Sequence, residues 1–388
     1  MNQEKDQNYK QLHTSADVVD LHAHPSLKVS LFKRALGVRW PAARYANPFS
    51  VQVDFPKMQQ GGLDILLSTI YVPEKGIIQD CQAVKLMKYI NPRLWKNIFN
   101  RPAITTTLEM IEQMEKAVQD ANQKNKYEVG QIVHSAKELS ELLNRPLPRP
   151  VGIIHNVEGG HSLSGDLKNI NELFNRGVAY LTPAHFYENE LVNPVFPYPS
   201  YVQIGGCFRN SKNLTLGLKS FGQKVIERMS DLGMLIDITH CTPAARKQIY
   251  KITGEKGVPV FASHIGVYAV NPNPYNLKDW ELEKIAATRG VVGIIFMNYW
   301  LTTSDRKGGI DFIMQTINHI IKVAGVEAVS LGTDFDGFTD PPDDLMDIAG
   351  LENLTQRLVV EGLDENHIKA ILGGNALRML QNGWGKKN

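Results

Sequence analysis

Eight near-continuous apolar runs recur along the chain, most of them followed by a helix-like segment. They are ADVVDLHAH (16–24), LDILLSTIYV (63–72), PVGIIHNVEG (150–159), GVAYLTPAH (177–185), GMLIDITHC (233–241), VPVFASHIG (258–266), GVVGIIFMN (290–298) and AVSLGTDFDG (328–337). A strand wetted on one face alternates apolar and polar residues; a run with little alternation marks a parallel strand covered on both faces. Between the runs, Thr106 to Asn122 carries Leu108, Ile111, Met114 and Val118 on one stripe, and Phe221 to Leu232 and Phe312 to Ala324 are similar. Eight strands alternating with helices over 388 residues predict a (β/α)8 TIM barrel, with a doubly wound sheet as the competing arrangement. A single barrel domain over residues 1–388 is expected, with long insertions at about 73–149 and 186–215. The first insertion reads as two helices plus a connection. The second, rich in Pro, Gly and Asn, reads as a loop after the fourth run, on the rim where barrel active sites lie.

The polar residues closing these runs form a pattern. The first run ends in His22 and His24, the third in Glu158, the fourth in His185, the fifth in His240, the sixth in His264 and the eighth in Asp334 and Asp336. Side chains two apart in a strand share a face, so His22 and His24 point the same way. A lone histidine at a strand end is ordinarily a hydrogen-bonded polar residue and nothing more. A barrel, however, gathers its strand C-termini around one mouth. Burying so many titratable groups together without a counter-charge is costly, and metal ions remove the conflict, because they prefer neutral imidazole and ionised carboxylate. His155 has the opposite parity to Glu158 and should face the helices. His161 is a candidate for a supporting role, and His13, His134, His319 and His367 are expected on the surface. HExxH, GxSxG and P-loop motifs are absent from the sequence.

Composition narrows the class. Apolar residues make up 43% and charged residues 21%, as in ordinary globular proteins, and the net charge of +2 is too near neutral to suggest nucleic acid. No basic cluster interleaved with aromatics stands out. The three cysteines, Cys81, Cys207 and Cys241, form neither a CxxC pair nor a disulfide framework, so free thiols are expected. The first twenty residues lack a hydrophobic signal core, which favours a cytoplasmic location, and no run is long enough to span a bilayer.

DLHAHP, GIIHNVEGGHS, YLTPAH, LGMLIDITH, PVFASH and SLGTDFDG, in this order, resemble the membrane (renal) dipeptidases of the amidohydrolase-type metal-dependent barrels. The match runs from about Val18 to the C-terminal ILGGNALRML. The resemblance implies a TIM barrel with two zinc ions. It implies that His22 and Asp334 hold one ion, that His240 and His264 hold the other, and that Glu158 bridges them. It assigns proton transfer from the attacking water to Asp334, and contact with the substrate carbonyl and oxyanion to His185. The family's usual first motif is His-x-Asp. Here His24 stands at the aspartate position, which keeps a metal ligand but removes one negative charge. The dipeptidases also carry a carboxylate-binding arginine after the sixth strand. Here Tyr275 lies near that place, with Arg209 or Lys212 as possible substitutes.

The reading that follows is a metallo-dipeptidase acting on a small-molecule substrate, with no nucleic-acid partner and no membrane segment; relatives are often homodimers. The missing arginine favours an alternative within the same chemistry, hydrolysis of another small amide or lactone such as an N-acyl amino acid. A non-catalytic barrel used for binding is the third reading, opposed by the complete ligand set.

Overall fold

The computed structural model describes residues 2–44, 47–195, 213–302, 309–337 and 339–385. Among these residues, nine parallel strands form in chain order: β1 Val19–Ala23, β2 Ile65–Tyr71, β3 Gly130–Ile132, β4 Val151–Glu158, β5 Tyr180–Thr182, β6 Leu235–Asp237, β7 Val260–Ile265, β8 Val292–Ile294 and β9 Val329–Leu331. The order is β1-β2-β4-β5-β6-β7-β8-β9, with β3 pairing β4 outside this path. The two ends meet where the Asp334 amide donates to the His22 carbonyl (2.8 Å) and the His24 amide to the Phe335 carbonyl (2.8 Å). The result is a nearly closed barrel of eight parallel strands with helices outside, the predicted (β/α)8 TIM barrel.

Each of the eight apolar runs contains one barrel strand, and the strands are buried on both faces as near-continuous hydrophobicity requires. The three anticipated helices form as Ala103–Asn125, Ser220–Leu232 and Ile310–Ala324. Ile111, Met114 and Val118 of the first are buried, and Leu108 is partly so.

Residues 73–149 depart from expectation. They hold five helices, Ile77–Asp80, Gln82–Ile90, Pro92–Phe99, Ala103–Asn125 and Ala136–Leu143, besides β3, where two helices were predicted. Proline at 92 and capping asparagine at 91 break what reads as one amphipathic stretch. The thiol expectation is also corrected: Cys81 is disulfide-bonded, whereas Cys241 is free and buried. Cys207 lies outside the described residues, as do Arg209 and Lys212. His13 is not on the surface: it is buried, with Nδ1 against Thr355 Oγ1 (2.7 Å) and Nε2 against the Gly61 carbonyl (3.0 Å). No helix among the described residues is long and apolar enough to cross a membrane.

Candidate active site

The strand ends deliver their polar residues to one point. Every imidazole Nε2 of the set faces Glu158: His240 at 3.3 Å, His22 and His264 at 3.5 Å from Oε1, His24 at 3.5 Å and His185 at 3.6 Å from Oε2. Asp334 Oδ1 lies 3.2 Å from His24 Nε2 and 4.0 Å from His22 Nε2. His22 and His24 approach Nε2 to Nε2 at 3.1 Å, and so do His240 and His264. The shared face inferred for His22 and His24 is thus realised, although His24 itself sits one residue past β1, at the start of helix Pro25–Phe32.

Tautomers follow from the contacts behind the rings. Tyr180 Oη donates to the Leu21 carbonyl (2.8 Å), so it accepts from His22 Nδ1 (2.8 Å). Ser263 Oγ donates to Asp237 Oδ2 (2.6 Å), so it accepts from His264 Nδ1 (2.7 Å). Both rings therefore carry their proton on Nδ1 and turn the Nε2 lone pair inward. Burial holds His22 and His264 well below the ordinary histidine pKa and lowers His240 to about 4. His24 differs: burial opposes its charge, but the bond to Asp334 and the charge of Glu158 outweigh it and raise its pKa.

These features fit metal. Glu158 is 1% exposed and, among the described residues, neither of its oxygens has a hydrogen-bond donor, while burial pushes its pKa up, as it does for Asp334. Lone pairs facing each other around a bare carboxylate repel unless a cation stands between them. Two nitrogens sharing one tetrahedral ion at about 2.0–2.1 Å lie about 3.3 Å apart, close to the observed pairs. Among the described residues, three overlapping groups could hold a metal ion: His22, His24 and Glu158; His22, His264 and Asp334; Glu158, His240 and His264.

The site is held by backbone that few residues tolerate. His240 and Asp334 both have left-handed φ (63° and 59°), a conformation costing on the order of 1–3 kcal/mol that persists where its surroundings enforce it. Asp20 supplies part of that enforcement, accepting from Thr333 Oγ1 (2.6 Å), the Thr333 amide (2.9 Å) and the His22 amide (3.1 Å). At Gly337 a side chain has no room: a Cβ would stand 2.3 Å from Asp334 Oδ1 and 2.9 Å from His24 Cδ2.

His185 is oriented by a residue that the strand-end survey missed. Glu74, three residues past β2, is buried and accepts from the Tyr187 amide (2.9 Å) and the Phe186 amide (3.2 Å), with His185 Nδ1 at 2.9 Å. Burial alone would raise its pKa, but the His185 imidazole pulls it down to about 2. An ionised carboxylate only accepts, so Nδ1 carries the proton and Nε2 is left facing Glu158. The signal was available in YVPEKG, a carboxylate just beyond the second run.

Leu27, Tyr71, Phe186, Met297 and Trp300 wall a small chamber of about 30 Å³ over this cluster, room for about two water molecules. Tyr275 lies a layer further back, fully buried, its hydroxyl donating to the His264 carbonyl (2.6 Å) and its ring stacked on Trp300 at 4.0 Å. His155 faces the helices, 3.7 Å from Glu115, as its parity requires. His161 bonds the Val72 carbonyl (2.8 Å) behind the site. Asp336 turns to the backbone instead, accepting from the Gln52 and Val53 amides (2.9 and 3.0 Å) beside Lys28.

Residues 6–383 match the family model described as membrane dipeptidase (peptidase family M19). A Klebsiella pneumoniae protein described as an uncharacterized protein in the pqqA 5' region is 30% identical over 237 residues, 60% of this chain and 83% of that protein. Among solved structures, a metallo peptidase from Rhodobacter sphaeroides, liganded with a phosphinate mimic of the dipeptide L-Ala-D-Ala, is 20% identical with a TM-score of 0.75, over 95% of this chain and 99% of that one. The probable dipeptidase PvdM from Pseudomonas aeruginosa is 17% identical with a TM-score of 0.76, over 98% of each chain. At these identities the structural likeness speaks for the fold.

Proposed function

This chain belongs to the membrane dipeptidase family, peptidase family M19, and from that premise we propose that it is a zinc-dependent dipeptidase. The observation that carries the reading is the bare Glu158 carboxylate at the centre of four inward-facing imidazoles and Asp334. His22, His24 and Asp334 would hold one zinc ion, His240 and His264 the second, and Glu158 would bridge them. When bound, the ions would supply an acidified water and a polarised substrate carbonyl.

The chain's own residues do the rest. Asp334 takes the proton of the attacking water and returns it to the leaving amine, alternating as general base and general acid. Doubly protonated, His185 donates from Nε2 to the oxyanion as the tetrahedral centre forms, and the ionised Glu74 carboxylate that accepts from Nδ1 balances the charge of the ring. Leu27, Phe186, Met297 and Trp300 exclude bulk water from the chamber, which strengthens each of these interactions. Tyr275 contributes to substrate binding through the residues it supports, His264 and Trp300, instead of by its own hydroxyl. The phosphinate dipeptide mimic held by the Rhodobacter relative supports the choice of substrate class.

A second reading rests on one specific observation. No arginine follows the sixth apolar run at the place where the family binds a free carboxylate, so a small amide or lactone that presents no free carboxylate fits as well. Metal analysis followed by a zinc-supplemented panel of dipeptides, dipeptide C-terminal amides and lactones tests both. Dipeptide turnover with about two zinc per chain supports the first. Turnover confined to the carboxylate-free substrates replaces it with the second, and failure to bind metal removes both.

A further inference from the structure

A segment outside the catalytic machinery carries chemistry that hydrolysis does not use. The helices Gln82–Ile90 and Pro92–Phe99 follow β2 on the rim that bears the site. Between Cys81 and Arg101 the sequence holds Lys85, Lys88, Arg93, Lys96 and Arg101 and no acidic residue. The whole-chain charge of +2 averages this cluster away, and it corrects the expectation that no basic stretch is interleaved with aromatics. Arg101 pairs with Glu109, whereas Lys85, Lys88, Arg93 and Lys96 are exposed and enter no ion pair among the described residues.

Beside these cations stand the most exposed large hydrophobic side chains of the segment: Leu86 at 58%, Tyr89 at 79% and Ile90 at 80%. Anchorage comes from the other side, where Ile98 and Phe99 are buried and Trp95 packs on Phe99 at 4.6 Å. The pair is thus fixed to the barrel at one end and offers an aliphatic and aromatic tip ringed by lysines at the other. We propose that this helical pair is a peripheral docking surface for an anionic phospholipid bilayer.

Three considerations select that occupant. Interfacial helices combine basic residues with aliphatic and aromatic side chains, because the charges meet anionic headgroups while the apolar tips enter the acyl boundary. A second copy of the chain docking two-fold on the same patch would place like charges against each other, which opposes association. A nucleic acid would satisfy the cations but leave Leu86 and Ile90 in water. The helices leave the loop after β2, so a bound bilayer lies on the site's side of the barrel. The proposal is independent of which amide is hydrolysed.

The test is flotation of the full chain with vesicles of phosphatidylcholine alone and of phosphatidylcholine with phosphatidylglycerol, at low salt and at high salt. Binding is expected for the anionic vesicles only and should weaken with salt. Lys85→Gln with Lys88→Gln should lower the partition coefficient about thirty-fold, from about five-fold per basic residue. Tyr89→Ser with Ile90→Ser should lower it at least tenfold. Unchanged circular dichroism and melting temperature establish that both variants are folded. Absence of binding to anionic vesicles, equal binding to neutral ones, or full binding by either variant overturns the proposal. So does tighter binding to a mixed-sequence oligonucleotide than to vesicles, or a dimer that these variants dissolve.

Discussion

Replacing Glu74 by glutamine removes the charge behind His185 at nearly constant shape. The amide keeps one oxygen, which in place of Oε2 still accepts from His185 Nδ1 (now 2.9 Å away) and the Phe186 amide, while its NH2 takes the place of the Oε1 that accepts from the Tyr187 amide. What is lost is the negative charge, together with the acceptor for Tyr187, which holds the loop and not the ring. A hydrogen bond to a charged group contributes about 1.5–3 kcal/mol and a neutral one about 0.5–1.5 kcal/mol, so the change weakens the pairing by about 1–1.5 kcal/mol. If that pairing strengthens as His185 meets the oxyanion, kcat for a dipeptide falls about tenfold, at about 1.36 kcal/mol per decade, while KM and zinc content hold. His185→Ala sets the ceiling: loss of one oxyanion donor lowers kcat about a hundredfold or more, again with metal retained. Because Glu74 is argued to act through His185, the double variant should be no slower than His185→Ala alone. The assay is steady-state dipeptide hydrolysis with zinc counted by mass spectrometry. Unchanged kcat in Glu74→Gln, or additive losses in the double variant, would refute the positioning role; lost zinc would assign Glu74 to the metal centre instead.

Glu158→Ala should abolish stoichiometric zinc binding, since it removes the one group common to both pairs of imidazoles; a variant retaining two zinc ions breaks the bridging assignment. Gly337→Ala should weaken the first zinc about 10–100-fold by forcing Asp334 and His24 apart, measurable by chelator competition; an unchanged affinity contradicts the close approach. In metal-free protein, His240 is held near 4 against an unfolded value near 6.5. The unfolded chain then binds more protons between these values, so stability present above about pH 6.5 is lost as pH falls towards 4. From His240 alone the loss is about 2 kcal/mol at pH 5. Because the raised pKa values of His24, Glu158 and Asp334 act in the opposite direction, the check is an NMR titration of the His240 ring in metal-free protein, and protonation near 6.5 would refute the buried neutral state.

The eight apolar runs and the polar residues that end them were legible because both are local. Near-continuous hydrophobicity reports a strand covered on two faces, and the period of two assigns His22 with His24, and His155 against Glu158, before any contact is known. Once the runs close into a barrel, strand ends must share a mouth, so the candidates for the cluster around Glu158 followed from counting. Glu74 was not legible in that way, because its role exists only where Glu74, His185 and the amides of Phe186 and Tyr187 meet across 111 to 113 positions. The same holds for Tyr180 behind His22 and for the Asp237–Ser263 link behind His264. Tyr275 was read from its place in a loop, but folding turned its hydroxyl onto the His264 carbonyl. The burial of His13 likewise depends on chain segments far apart. Sequence determined which side chains arrive at the mouth; packing across distant segments decided their tautomers, their supports and the face each presents, because a hydrogen bond is set by where its partner ends up in space.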